Sequence, residues 1–314
     1  MAAKIATRDA YGKALVRLGE RHPQIVVLDA DLSKSTKTAE FARVYPERFF
    51  QVGIAEQNLM GTAAGLALTG KIPFASTFAV FATGRAFEQI RNSIAYPCLK
   101  VRIAATHAGI SVGEDGASHQ AIEDIAIMRA LPHMTVVVPA DARETEKAVE
   151  ALLNWEGPAY LRMGRLALPA VYEEDYSFSL GRAVQLRAGA DATIIACGLM
   201  VYEALQAAEV LAREGIEVRI LNMHTIKPLD EEAVLRAAQE TGAIVTAEEH
   251  SIIGGLGSAV AEVLSEKHPV YLYRLGLRDC FGESGAPGAL LKKYGLTATN
   301  LVEATRSVIK SKKN

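Results

Sequence analysis

The stretch Gln51-Val-Gly-Ile-Ala-Glu-Gln-Asn-Leu-Met60, continued by Gly61-Thr-Ala-Ala-Gly65, decides how this chain is read. Val52 and Ile54 read as the end of a buried strand. Positions 55–68, rich in Ala, Leu and Met with small residues at Gly61 and Gly65, suit a helix packed closely on a sheet. Glu56 therefore falls where a strand hands over to a helix N-terminus. A carboxylate there complements the helix dipole in many proteins, so the residue type alone assigns it no chemistry.

Outward from this stretch the same handover repeats. On the amino side Arg8 to Glu20 reads as helix and Ile25-Val-Val-Leu-Asp29 as a buried strand. On the carboxyl side strands are expected at 72–76, 101–105, 135–139 and 159–162, with helices at 84–95, 121–131 and 142–154 between them. Strand and helix alternating at this spacing mean a mostly parallel sheet covered on both faces. The rhythm lapses around Pro169, the acidic Glu173-Glu-Asp175 and Gly181, then resumes with strands at 192–197, 217–222, 243–247 and 270–275 separated by helices. The expected fold is thus α/β in two domains, 1–165 and 190–314, joined by a linker over 166–189. The Lys310-Ser-Lys-Lys313 tail complements a helix C-terminus.

A chain of 314 residues with 50% apolar and 22% charged residues suits two well-filled cores. A net charge of -2 makes no electrostatic case for nucleic acid or an anionic membrane, although local cations can still hold a phosphate. Cys98, Cys197 and Cys280 are odd in number, widely spaced and set in or beside apolar segments, so they read as reduced thiols and the expected compartment is the cytoplasm. Neither a signal core behind Met1-Ala-Ala-Lys nor an uninterrupted apolar run of about 18 residues is visible.

Ligands of open parallel sheets bind beyond the carboxyl ends of the strands. Those positions are chemically loaded here: Asp29-Ala-Asp-Leu-Ser-Lys-Ser35, Glu56, Thr77, Phe78 and Phe81, then His107, Asp115 and His119, then Arg162. Core packing would not require so many polar groups on one rim. Phe78 and Phe81 at helical spacing also fit a core, and a strand-end Asp31 also fits a turn cap. Two histidines in a Gly-rich loop do not have the spacing of a zinc site.

Three words, Gly53-Ile-Ala-Glu-Gln-Asn58, Ser76-Thr-Phe-Ala-Val-Phe81 and Thr106-His-Ala-Gly-Ile-Ser-Val-Gly-Glu-Asp-Gly-Ala-Ser-His119, resemble in order and spacing the pyrimidine-binding domain of transketolase, and the resemblance covers nearly the whole chain. It implies thiamine diphosphate as cofactor, whose own 4′-amino group is the internal base, so that the protein has only to favour the imino tautomer. By resemblance Glu56 bonds the aminopyrimidine N1′, a task that burial assists by raising a carboxyl pKa. Phe81 and Phe78 match aromatics that stack on the pyrimidine, and Asp31 lies at the expected cofactor edge. Gly84 stands where many relatives carry a further aromatic. His119 is expected to face the donor carbonyl and move protons, and Asp115 to read a sugar hydroxyl. Ser35, His107 and Arg162 match positions that hold the sugar phosphate. A further family arginine falls near Lys4, where a lysine offers a point charge in place of a fork.

The Gly-Asp-Gly…Asn motif that holds Mg²⁺ and the diphosphate in full-length relatives is not among these words. The resemblance therefore implies the carboxy-terminal subunit of a split transketolase, a transferase of pentose phosphate metabolism. An N-terminal partner subunit would supply the Mg²⁺ site, and the chain is expected to self-associate as a dimer within a 2:2 complex. Deoxyxylulose-phosphate synthase shares the domains but normally has Arg where His107 stands and no Phe at the Phe81 position. The beta chain of 2-oxo acid dehydrogenases lacks the Gly-Glu-Asp-Gly…His word. A noncatalytic subunit would not need Glu56, His107, Asp115, His119 and Arg162 together. Ile253-Gly-Gly-Leu-Gly257 fails the dinucleotide spacing and reads as a close turn before a helix.

Overall fold

The computed structural model describes residues 4–173 and 175–312. Met1 to Ala3, Glu174 and Lys313, touched by the readings of the chain start, the acidic connection and the basic tail, lie outside them.

The first sheet is built from β2 (Ile25–Asp29), β3 (Phe49–Gln51), β4 (Ile72–Phe78), β5 (Arg102–Thr106), β6 (Thr135–Val137) and β7 (Ala159–Arg162), after a two-residue β1 (Ile5–Ala6) that stands apart. These six are mutually parallel in the order β6-β7-β5-β4-β2-β3. β2 shows why the runs are continuously apolar: Val26 and Leu28 join one core with Leu59, Met60 and Ala63 of helix Glu56–Leu68. Ile25 and Val27 join another with Tyr11 and Leu15 of helix Thr7–Arg21 and Val149 of helix Ala142–Asn154. Period-two alternation feeds helices on both faces, so neither face is free to be polar.

Within 166–189 lie β8 (Ala167–Leu168), antiparallel to β1, and β9 (Val184–Arg187). The second sheet then comprises β9, β10 (Ala192–Ala196), β11 (Val218–Asn222), β13 (Ala243–Ser251) and β14 (Tyr271–Leu277) in the order β14-β13-β10-β11-β9. Between them β12 (Thr225–Lys227) leaves its own domain and pairs antiparallel with β6, extending the first sheet. A three-residue strand, Thr-Ile-Lys, has no periodicity to read. One apolar cluster also runs through both domains, joining Met128 and Met134 to Ile226, Val234 and Leu256.

One strand is misplaced by sequence reading. Val52 and Ile54 are not the end of a buried strand: the strand is β3, at the edge of the sheet, and Ile54 is 77% exposed. An edge strand has a neighbour on one side only, so its apolar residues are not obliged to be core. No described helix is long and apolar enough to cross a membrane.

Candidate active site

Because the six strands of the first sheet run parallel, their carboxyl ends share one rim. Helix Glu56–Leu68 starts there, and the Glu56 side chain is 1% exposed. Its Oε2 accepts a hydrogen bond from Nη1 of Arg85 at 2.8 Å, and the Arg85 guanidinium lies over the ring of Phe81, 5.0 Å from its centroid. Arg85 reaches both because Phe81–Arg85 is π-helical and follows β4 almost at once. Such wide turns concentrate at functional sites. Nothing in the spacing of Arg85 from Glu56 announced this pair.

Phe78, the last residue of β4, stacks on Phe81 with centroids 5.9 Å apart and on His107 at 3.8 Å. One flank of Phe78 is thus already covered by an imidazole, which leaves the half-buried Phe81 as the outer ring. His119 meets both rings edge-on, at 6.3 Å from Phe78 and 5.3 Å from Phe81, and its Nδ1 pairs with Ser118 Oγ. His107 has φ +57°, and burial together with Arg8, Arg165 and His119 pushes its pKa down to about 3. Its imidazole is therefore neutral. Arg8 can only donate, so the 3.1 Å contact from Arg8 Nη1 makes His107 Nε2 the acceptor. The remaining proton is then on Nδ1, which donates to Thr106 Oγ1 at 2.9 Å. Arg8 Nη1 also donates to the carbonyl of Ser35 at 3.1 Å, while its buried Nε finds no partner among the described residues.

The rim is therefore one contiguous line: Ser35, Arg8, His107, Phe78, Phe81, then Arg85 and Glu56, with His119 across the aromatic pair. Other expected residues lie elsewhere. Asp31 is exposed with φ +64°, and the capping role belongs to Asp29, which accepts from Leu32 N, Thr36 Oγ1 and Thr38 Oγ1. Asp115 is exposed on its loop. Lys4 is exposed, and the arginine on the rim from the start of the chain is Arg8.

Arg162 is the largest correction. Its side chain is 6% exposed and forks onto Asp124, Nε to Oδ2 at 2.7 Å and Nη2 to Oδ1 at 3.1 Å, with Nη2 also on the Glu249 carbonyl at 2.9 Å. Burial works against that charge, but Asp124 outweighs it and holds the guanidinium above the ordinary arginine value. A buried, committed guanidinium is not offered to a sugar. Three residues on, Arg165 is 37% exposed, bonds Val112 O and Glu114 Oε2, and is close enough to bear on the charge of both Arg8 and His107. Two signals were readable: Arg8 is a cation in the first turn of a helix, against the dipole, and Arg165 is a second arginine after β7.

A carboxylate at a helix start, a stacked aromatic beside it and two arginines on the same rim mark this as a tandem α/β protein whose candidate site lies beyond the strand ends of its first sheet. Residues 3–171 match the model of the transketolase pyrimidine binding domain and residues 181–301 that of the transketolase C-terminal domain. The chain belongs to the transketolase family, whose members are thiamine-diphosphate-dependent transferases.

A solved structure described as a split gene transketolase, inactive beta4 tetramer, is 60% identical with a TM-score of 0.93, covering 98% of this chain and 99% of that one. A 6-deoxy-6-sulfo-D-fructose transketolase subunit of Clostridium sp. (strain MSTE9) is 47% identical over 305 residues, 97% of this chain and 95% of that protein. Transketolase of Homo sapiens is 40% identical over 310 residues, 98% of this chain but 49% of that protein.

Proposed function

We propose that the chain is the C-terminal subunit of a two-polypeptide transketolase. It would transfer a two-carbon ketol unit from a ketose phosphate to an aldose phosphate, with a partner N-terminal subunit holding the diphosphate and Mg²⁺. The observation that supports this reading is the unbroken line from Glu56 to Arg8, with a buried carboxylate and an arginine at opposite ends of one aromatic floor.

The residues present fit the pyrimidine end of thiamine diphosphate: a buried carboxylate meets one N–H donor already, and Phe81 offers a ring beside it. When bound, the cofactor supplies the nucleophilic carbon of its thiazolium ring. Glu56 would hold the proton shared with the aminopyrimidine N1′, and Phe81 would orient the ring. Arg85 donates to Glu56 and lies over Phe81, the two groups that would hold the aminopyrimidine, so it would have to give way to that ring. Being 51% exposed, it can swing into solvent, and until then it keeps a buried carboxylate paired. Arg8 and Arg165 would take the terminal phosphate. His107 stays neutral and orients Arg8, and His119 stands over Phe81 to move a proton at the sugar. Arg8 and Arg165 replace Arg162 in this role.

Mixing the purified chain with a subunit that carries the diphosphate motif tests the proposal. Xylulose 5-phosphate and ribose 5-phosphate should react only when both chains, Mg²⁺ and the cofactor are present. Turnover by this chain alone, submicromolar cofactor binding without a partner, or a preference for pyruvate with glyceraldehyde 3-phosphate would overturn it.

A further inference from the structure

The second sheet sends its longest strand into the first domain. β13 pairs with β10 only as far as Ala247, and its last residues turn to the other domain: Ser251 N donates to Ile122 O at 2.7 Å, and His250 Nε2 accepts from Ala126 N at 3.3 Å. Glu249 lies between them, 5% exposed, with Oε1 accepting the backbone N–H of Ser111 at 2.6 Å. Ser111 sits in the middle of the loop that begins at His107 and ends at His119. Beside it Gly109, at φ +81°, passes so close that a β-carbon there would fall inside the Glu249 carboxyl group. The loop thus rests on a carboxylate supplied by the other domain.

Further contacts complete the seat. Gln120 Nε2 donates to Ile110 O at 3.2 Å and to Glu283 O at 2.9 Å, and Ser284 Oγ donates to Glu114 O at 2.6 Å. Burying a carboxylate is costly, and burial pushes the Glu249 pKa up to about 7. An amide oxygen or ordered water could satisfy one backbone N–H at less cost. What the shape-filling carboxyl group adds is a short bond of fixed length beneath Gly109.

We propose that Glu249 is a positioning residue: from the second domain it sets the height of the 107–119 loop and thereby the place of His107 beside Arg8 and the approach of His119 to the bound sugar. The role of the two histidines rests on the transketolase reading; the seating of the loop does not. The second domain would then act on the reaction through the seat of one loop.

Three variants separate the possibilities. Glu249→Gln keeps an acceptor oxygen under Ser111, Glu249→Asp draws it back by one methylene, and Glu249→Met fills the space without an acceptor. In the reconstituted complex kcat should fall on the order of 10- to 100-fold in the Met variant, less in Asp and least in Gln, because loss of near-attack geometry is paid in turnover. Affinity for thiamine diphosphate should stay within about twofold, since the Glu56 end is untouched. Histidine ring signals of the isotope-labelled chain should move for His107 and His119 and stay for His22, in the same order of variants. Unmoved ring signals in both Met and Asp, or kcat within about twofold in both, would overturn the proposal. Should the wild-type complex transfer no ketol unit while the ring signals move as expected, the functional reading fails and the seating stands.

Discussion

Two sheets of one architecture meet in this chain, and their strand-end rims are used in opposite ways. Beyond the second sheet the polar groups are consumed by the protein. Glu248 accepts from Leu256 N and Gly257 N at 2.7 and 2.8 Å and so caps the next helix, Glu249 seats a loop, and His250 is bonded at both nitrogens. Beyond the first sheet the carboxylate of Glu56 is paired with an arginine that is itself half exposed, and among the described residues the buried Nε of Arg8 has no hydrogen-bond partner. A site is distinguished from a scaffold less by which residues it holds than by whether their bonds are already spent.

That contrast can be broken at Glu56 first. In the assembled complex Glu56→Ala should cost roughly 100- to 10,000-fold in turnover, the range of a lost general acid or base, with the complex still formed. Near-normal turnover with cofactor bound would put Glu56 among the spent groups.

Arg162 and Arg165 sharpen it further. Arg162→Ala strands the buried Asp124 carboxylate and should cost about 3–5 kcal/mol of stability, read by denaturant melts. Arg165→Ala should leave the melt nearly unchanged and raise KM for phosphorylated sugars about 10-fold or more, with little effect on unphosphorylated ones. The reverse pattern would return the phosphate role to Arg162.

The smallest effect concerns pH. Burial pushes Glu144 and Glu249 up to about 7, above the ordinary value near 4.3 of the unfolded chain. Between those values the folded state holds protons the unfolded state has lost. The stability is therefore full below about pH 4 and drains away as pH rises through about 7. Melting temperature should fall by roughly 5 °C from pH 5 to pH 8, and Glu144→Gln should flatten part of the fall. A melt that rises over this range would show both carboxylates ionised at ordinary values.

Much of the fold was legible because parallel strands buried on both faces spell themselves as apolar runs: β2, β7 and helix Ala142–Asn154 fall where the pattern puts them. The edges were not legible. β3 is exposed on one flank and β12 is three residues long, so neither carries a periodic signal. The structure gathers Glu56, Phe78, Phe81, His107 and His119, which the sequence let one single out because they lie at or just beyond strand ends or in the loop that follows. Arg8 and Arg165 did not stand out, because Arg162 and Arg165 lie three residues apart at the end of one strand and only the packing of Asp124 decides which is withdrawn. Arg85 reaches Glu56 across two elements, a proximity no local pattern encodes.

The loan of β12 to the first sheet bears on how the chain comes into being. Val137 must wait for Thr225 before β6 gains its second neighbour. On a ribosome the first domain thus emerges with one flank of its sheet bare, and it stays so until most of the second domain has been synthesised. A bare edge invites pairing with a neighbouring nascent chain. Cutting the gene at the connection would therefore release a first domain without the strand that covers β6.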